Sequence, residues 1–179
     1  VGQHAVVAQA HVVGDVHGEL AALDSLLTHL GYRPDGTHPR GRRLVFLGAL
    51  IHRGPDSPGV VRRVADMVEG GAAVMVMGNH DLNAIAERTK KENTWLFAHD
   101  EVHPSETKAT DRERDEILAF LRRQPVALQR PDLRVVHACW HDAALSALVE
   151  ARDPVESLNT HRARIKAACA GVEDQAERN

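Results

Sequence analysis

Four apolar runs along the chain are each followed by side chains that can bind a metal ion, transfer a proton or hold an anion. They are Asp15 and His17 after the first run, His52 and Arg53 after the second, Asn79 and His80 after the third, and His137 after the fourth. A glycine follows each of the first three runs, as is common where a strand ends in a sharp turn. Ligands collect at the carboxyl ends of strands in open α/β sheets, so we expect these side chains to converge on one cleft.

Each of these residues also has an ordinary structural explanation. Asp15 and Asn79 can cap turns, and His137 can be a hydrogen-bonded core histidine. For any one residue alone, that explanation is preferred. The repetition of the same pattern at four strand ends favours a shared site.

The order of the predicted elements indicates an α/β fold with a parallel sheet. Strands are predicted over 5–13, 43–48, 72–77, 126–128 and 134–139, and helices over 19–30, 57–69, 81–88, 110–123, 142–151 and 160–170. Ser57 is the predicted N-cap of the second helix, with Pro58 as its first residue.

The sequence predicts one domain over residues 1–171 and a frayed tail over 172–179. Within the domain, the segment 89–110 is polar and contains Trp95 and Phe97. It is predicted to be a loop or lid, or else a flexible insertion with two aromatic side chains packed on the core.

Composition narrows the class of protein. The 179 residues fit one domain, and 43% apolar residues can form a core. A formal net charge of −3 gives no electrostatic case for binding nucleic acid or a membrane surface. We find no signal peptide and no apolar run that could span a bilayer. Cys139 and Cys169 do not make a disulfide framework, which favours a reducing compartment, the cytoplasm.

The motifs resemble those of the metallophosphoesterase (calcineurin-like phosphoesterase) superfamily, in its branch related to protein serine/threonine phosphatases and bacterial diadenosine-tetraphosphatase-like enzymes. That branch carries GDxHG, GDxxDRG and GNH[DE], then a later histidine on a strand. Here residues 14–18 read GDVHG and residues 78–81 read GNHD, whereas residues 48–54 read GALIHRG. The resemblance implies a metallophosphoesterase-type β-sandwich flanked by helices, incomplete on its C-terminal side.

The resemblance also implies a pair of divalent metal ions, which can be Mn, Mg, Fe or Zn. Asp15 and His17 correspond to ligands of the first ion, and Asn79 and His137 to ligands of the second. Two such ions acidify a bridging water and hold the phosphate group of a substrate.

Two further positions correspond to catalytic residues of the family. His80 would protonate the leaving group, and Arg53 would hold phosphate oxygens with its planar guanidinium. The aspartate that orients this histidine in relatives is replaced by His52, which carries no negative charge and so disfavours a protonated His80. Alternatively, His52 could itself serve as a ligand.

Two more departures concern the metal ions. The carboxylate that bridges them in relatives is replaced by Ala49, whose methyl group cannot bind a metal. Relatives also use a histidine in a Gly-His pair near the C-terminus, and this chain has no Gly-His pair after residue 80. We therefore expect weak metal occupancy.

Three functional hypotheses follow from the sequence. The chain can be a metal-dependent phosphatase acting on phosphate esters or anhydrides, with activity impaired at Ala49 and His52. It can be an inactive pseudophosphatase that binds a phosphorylated ligand or a protein. It can also be a fragment, with the missing half of the sandwich supplied by a second copy or a partner chain, or by residues outside this sequence.

Overall fold

The structure, a computed structural model, describes residues 9–87, 93–97, 103–151 and 153–176. Its strands are β1 Ala10–Val13, β2 Arg43–Phe46, β3 Ala73–Met75, β4 Ala127–Arg130 and β5 Leu133–Val136. Its helices are α1 Leu20–His29, α2 Ser57–Glu69, α3 Asn79–Ile85, α4 Thr94–Phe97, α5 Asp111–Arg122, α6 Asp142–Ala151 and α7 Pro154–Ala176. Parts of the predicted first strand, of the 89–110 segment and of the tail lie outside the described residues.

No helix in the described ranges combines the length and the apolar character needed to cross a bilayer.

The central sheet is parallel, in the order β1-β2-β3. Val12 pairs with Val45, and Val45 pairs with Val74. In a parallel sheet all strands end at the same edge, so the loops that follow β1, β2 and β3 are brought together there. The predicted α/β fold with a parallel sheet is confirmed.

Helix α2 begins with a different cap from the one predicted. The carboxylate of Asp56 accepts the backbone N–H of Gly59 at 2.9 Å, which makes Asp56 the N-cap. Pro58 is the second helical residue and has no N–H, so the cap reaches the third one. Ser57 lies inside the helix, and its hydroxyl accepts the backbone N–H of His52 at 2.9 Å. The prediction that Ser57 caps the helix is therefore wrong.

A second β layer packs on one face of the parallel sheet. β4 and β5 form an antiparallel pair. Val45, Val76 and Val135 form a buried cluster, with Leu128 packed against it. Val12 belongs to the same row of the sheet as Val45 but is 58% exposed on the outer strand. The sandwich therefore covers β2 more completely than β1.

The chain divides into two compact units, Val1–Cys139 and Trp140–Asn179, whereas the sequence predicted one domain over 1–171. The described part of the second unit consists of α6 and α7, which contact each other. The side chain of Asp153 accepts the backbone N–H of Val155 at 2.8 Å and so caps α7. The helix begins at Pro154, six residues before the predicted start at 160. The same helix continues through residues 172–176, where a tail was predicted.

The described part of the 89–110 segment is partly helical and joined to the first unit. Trp95, in α4, is only 1% exposed, and its carbonyl accepts the backbone N–H of Ala109 at 3.0 Å. One of the two aromatic residues is therefore part of the core. Whether the segment acts as a lid stays a prediction.

His11, Tyr32 and Arg42 form a hydrogen-bonded cluster at the opposite edge of the sheet, where β1 and β2 begin. His11 Nε2 lies 3.3 Å from Arg42 Nη1, which can only donate, so this nitrogen accepts. Nδ1 then carries the proton and donates to the Tyr32 hydroxyl at 3.0 Å. That hydroxyl donates to the carbonyl of Arg43 at 3.3 Å. The cluster requires a neutral imidazole at position 11.

This cluster predicts a loss of stability in mild acid. Burial, followed by the charges of Arg42, His38 and Arg40, lowers the pKa of His11 below its usual 6.5. The unfolded chain therefore takes up the proton first, so stability is full above pH 6.5 and falls as the pH drops below it. Thermal unfolding at pH 7.5 and 5.5 should show a smaller loss in His11→Asn than in the parent. An equal loss in both proteins would contradict the prediction.

Candidate active site

Three loops meet at the carboxyl edge of the parallel sheet. We call residues 14–18 the first loop, residues 48–54 the second and residues 78–80 the third. A Cβ atom on Gly48, where φ is 87°, would lie 2.1 Å from the backbone nitrogen of Gly78. A Cβ atom on Gly54 would lie 2.2 Å from the carbonyl oxygen of His17. Glycine is required at both positions because the loops touch through their backbones.

Backbone hydrogen bonds join the first loop to the second. The N–H groups of Val16 and His17 both donate to the carbonyl of Ala49, at 3.1 and 3.0 Å. The N–H of Gly18 donates to the carbonyl of Leu50 at 2.8 Å. Position 49 is therefore fixed against the loop that carries Asp15 and His17.

In the first loop, the imidazole of His17 faces a carboxylate. Its Nδ1 lies 3.1 Å from the carbonyl oxygen of Ile51, which can only accept, so Nδ1 carries a proton. Its Nε2 lies 3.3 Å from Oδ2 of Asp15. In the neutral imidazole this nitrogen has a lone pair, so two electron-rich atoms point at the same space. That arrangement suits a bound cation.

His137 and Asn79 repeat the arrangement. Nδ1 of His137 donates to the carbonyl of Leu47 at 2.8 Å, and Nε2 lies 3.1 Å from Oδ1 of Asn79. The second nitrogen–oxygen pair again consists of an imidazole held by a main-chain carbonyl and a side-chain oxygen, although here the two residues come from different parts of the chain.

His52 and His80 are in direct contact between the second and third loops. Their Nδ1 atoms are 2.7 Å apart, a distance at which one nitrogen carries the proton and the other accepts it. Both residues are buried, and the ring of His52 also contacts Trp95 edge-on, with centroids 6.1 Å apart. His80 in turn meets His17 at a centroid distance of 4.8 Å. His52 therefore orients His80 without supplying a negative charge.

The second loop has an unusual backbone for its sequence. Ala49, His52 and Arg53 have φ values of 50°, 73° and 70°, in the left-handed region. A non-glycine residue there costs roughly 1 kcal/mol or more, and such strain persists only where surrounding contacts hold it. The hydrogen bonds to the neighbouring loops supply part of that restraint.

Asp81, the residue after the third loop, is completely buried. Its Oδ2 accepts the N–H of Ala49 at 2.8 Å and of Gly78 at 2.9 Å, and its Oδ1 accepts the N–H of Leu50 at 3.2 Å. Burial raises the pKa of this carboxyl, while the three N–H donors and the nearby His137 act in the opposite direction. Its oxygens are directed at the backbone, so they are not available to a metal ion.

These residues do not complete a two-metal centre. Each nitrogen–oxygen pair offers one oxygen and one imidazole nitrogen, and position 49, which corresponds by resemblance to a bridging carboxylate, carries the buried methyl group of Ala49. Within the part of the chain that the structure describes, no group of three His, Cys, Asp or Glu side chains is placed to hold a metal ion. The donor chemistry suits single cations, but the set lacks the ligands that two ions need.

Six of the seven predicted site residues lie together. Contacts join Asp15 to His17, His17 to His80, His80 to His52 and Asn79 to His137, and residues 79 and 80 are consecutive. Arg53 follows His52 in the second loop with an exposed side chain. Its role toward phosphate stays a prediction, as do the ligand and acid roles of the other six.

Sequence reasoning missed three contributors to the site. Asp81 was part of the recognised GNHD motif, but no role was assigned to it. Ser57 has the sequence signature of a helix cap, but its hydroxyl accepts the backbone N–H of His52 instead. Trp95 gave no signal beyond its aromatic character in a polar segment, and its contact with His52 is visible only in three dimensions.

Comparison with known sequences identifies a family and several relatives. Residues 10–163 match the family described as calcineurin-like phosphoesterase. A symmetrical bis(5'-nucleosyl)-tetraphosphatase of Ralstonia nicotianae is 35% identical over 130 residues, which are 72% of this chain and 41% of the relative. The enzyme of the same name from Janthinobacterium sp. is 38% identical over 150 residues, which are 79% and 50% of the two chains. The chain thus spans about half the length of these curated relatives.

Solved structures show the same fold. A crystal structure provisionally assigned as a diadenosine tetraphosphatase has a TM-score of 0.52 and 28% identity, covering 76% of this chain and 52% of that one. A cold-active protein tyrosine phosphatase has a TM-score of 0.57 at 19% identity, covering 77% and 44%, which shows the fold alone. The matched family covers most of the sequence, including all three loops and His137, and the chain therefore belongs to the calcineurin-like phosphoesterase family.

Proposed function

We propose that this chain is a metal-dependent phosphoesterase domain in which hydrolysis is impaired. The observation that carries the proposal is the position of Ala49. Its carbonyl accepts N–H groups of the first loop, which carries Asp15 and His17. Its N–H donates to Asp81, which also accepts the N–H of Gly78, the residue before Asn79. We infer from these backbone contacts that a carboxylate at position 49 would be a ligand shared by the two pairs, whereas a methyl group offers them none.

The second part of the proposal concerns the leaving group. A carboxylate beside His80 would favour its charged, proton-donating form, whereas His52 shares a hydrogen bond with it without offering charge. A phosphate leaving group, released from an anhydride, is a much weaker base than an alkoxide and needs less protonation. We therefore propose phosphoanhydrides, with nucleoside polyphosphates suggested by the names of the relatives, over esters of simple alcohols.

A second candidate is a pseudophosphatase that binds a phosphorylated ligand or a partner protein without turnover. It is supported by the same two positions, Ala49 and His52, because each removes a negative charge from the site of the family. Arg53 would then serve as the phosphate-binding group, since its guanidinium is exposed beside His52. In this proposal the bound partner is a second copy of the chain or another protein. We further propose that the protein works in a reducing compartment, which is supported by its two exposed free cysteines.

The number of metal ions bound per chain tests whether the two nitrogen–oxygen pairs are too few ligands for two ions. We expect at most one divalent ion per chain in the parent at moderate Mn²⁺, because among the described residues neither nitrogen–oxygen pair is joined by a third His, Cys, Asp or Glu side chain. Ala49→Asp should raise the stoichiometry toward two, since the new carboxylate would stand against the first and third loops as a ligand for both ions. Elemental analysis after gel filtration gives both values. Two ions retained by the parent would contradict the proposal.

Kinetics of two reversions separate the roles of the two positions. With nitrophenyl phosphate and Mn²⁺, Ala49→Asp should raise kcat/KM more than His52→Asp, because nitrophenolate leaves with little help from an acid. General acid catalysis contributes on the order of a hundred- to ten-thousandfold where the leaving group is poor, so His52→Asp should show its benefit on an alkyl phosphate.

The two single variants and the double variant together test these assignments. A larger gain in His52→Asp than in Ala49→Asp on the aryl substrate would contradict the bridging role of position 49 and the acid-tuning role of position 52. A double variant that binds two ions without hydrolysis would support the binding module instead.

A further inference from the structure

Asp81 is a buried acid at the site for which neither metal binding nor proton transfer provides a role. It is the third residue of α3, so its bond to the N–H of Gly78 is the ordinary contact of such a residue with the helix cap. Its two other bonds are of a different kind. They cross to Ala49 and Leu50 in the second loop, more than 30 positions earlier in the chain.

The two residues held in this way begin the strained part of the second loop. Ala49 adopts a left-handed φ of 50°, and His52 and Arg53 follow with the same backbone conformation. The carbonyls of Ala49 and Leu50 bind the first loop, while their N–H groups bind Asp81. The carbonyl groups at the start of the second loop are therefore bound by the backbone of the first loop, and its N–H groups are bound by a single carboxylate.

The position of the second loop determines the contact between His52 and His80. His52 lies two residues after Leu50, and His80 lies one residue before Asp81. The bonds from the Asp81 carboxylate to Ala49 and Leu50 therefore connect the two chain segments that carry the histidines. The 2.7 Å separation of the two Nδ1 atoms tolerates little displacement before the hydrogen bond is lost.

We propose that Asp81 is a positioning residue, which fixes the second loop against the third and thereby sets the alignment of His52 with His80 and the place of residue 49. It does not touch the reacting atoms. The inference deepens the proposed function by assigning the residue that aligns its site, although the contacts themselves do not depend on catalysis.

The test compares Asp81→Asn with Glu113→Gln. Glu113 is a matched control because it is the third residue of α5 and accepts the N–H of the Thr110 cap at 2.9 Å, with no contact to the site loops among its bonds. Both changes turn an acid into its amide at the same helical position. They differ in their surroundings: Asp81 is buried and two of its bonds cross to the second loop, whereas Glu113 is partly exposed and pairs with Arg62 of α2.

Two readouts by nuclear magnetic resonance follow the loop directly. In Asp81→Asn, the amides of Ala49 and Leu50 should exchange with solvent roughly ten- to a hundredfold faster relative to the core amide of Leu44, because the amide nitrogen of asparagine cannot accept a backbone N–H as a carboxylate oxygen does. The imidazole nitrogen signals of His52 and His80 should shift as the contact loosens. In Glu113→Gln, both readouts should match the parent even if the melting temperature falls.

Unchanged imidazole signals and unchanged exchange in Asp81→Asn would overturn the proposal, as would equal changes in the two variants. If Asp81→Asn does not fold, exchange in the parent decides: the amides of Ala49, Leu50 and Gly78 should open together, and independent opening would overturn the proposal. None of these readouts uses hydrolysis. A hydrolytically silent Ala49→Asp would therefore refute the proposed function without affecting this test.

Discussion

The close approach of the second and third loops is the constraint on which the candidate site depends. Parallel pairing of β1, β2 and β3 brings the loops to one edge, and Gly48 lets the backbone pass within contact of Gly78. Where two backbones touch, no side chain fits between them. Their buried N–H and C=O groups must then bond to one another or to a small acceptor beside them. The hydrogen bonds to Ala49, Leu50 and Gly78 are the consequence.

The charge balance of the site follows from that constraint. Burying a carboxylate is unfavourable unless its oxygens are hydrogen-bonded, and Asp81 meets this requirement by accepting three backbone N–H groups. In the three loops and the residue that follows the third, the only other carboxylate is Asp15. A centre for two divalent ions needs more negative ligands than one available carboxylate, whereas a single cation or a phosphate bound by Arg53 places smaller demands on the site.

His52 shows how a fold can persist while its chemistry changes. A histidine can share a hydrogen bond with His80 and is held through its backbone by Ser57, so the neighbourhood keeps its geometry. Its ring also contacts Trp95, which suits an aromatic side chain in a buried position. An imidazole offers no negative charge, and no rearrangement of neutral groups supplies one. Packing and hydrogen bonding therefore determine the shape of the site, while the residue type at position 52 determines the charge there.

The sequence by itself determined the parallel sheet, the carboxyl-edge location of the site and six residues that meet there, because apolar runs, glycines and strand order are local patterns that constrain the backbone. It did not determine the cap of α2, since Asp56 and Ser57 are both competent caps and only the folded turn shows which one reaches Gly59. The resemblance placed His52 beside His80, but it predicted neither the direct hydrogen bond between their Nδ1 atoms nor the bonds from Asp81 to Ala49 and Leu50. These contacts join positions about 30 residues apart, and their geometry depends on how two strained loops are oriented. That orientation is a property of the whole packed unit, so only the tertiary structure decided it.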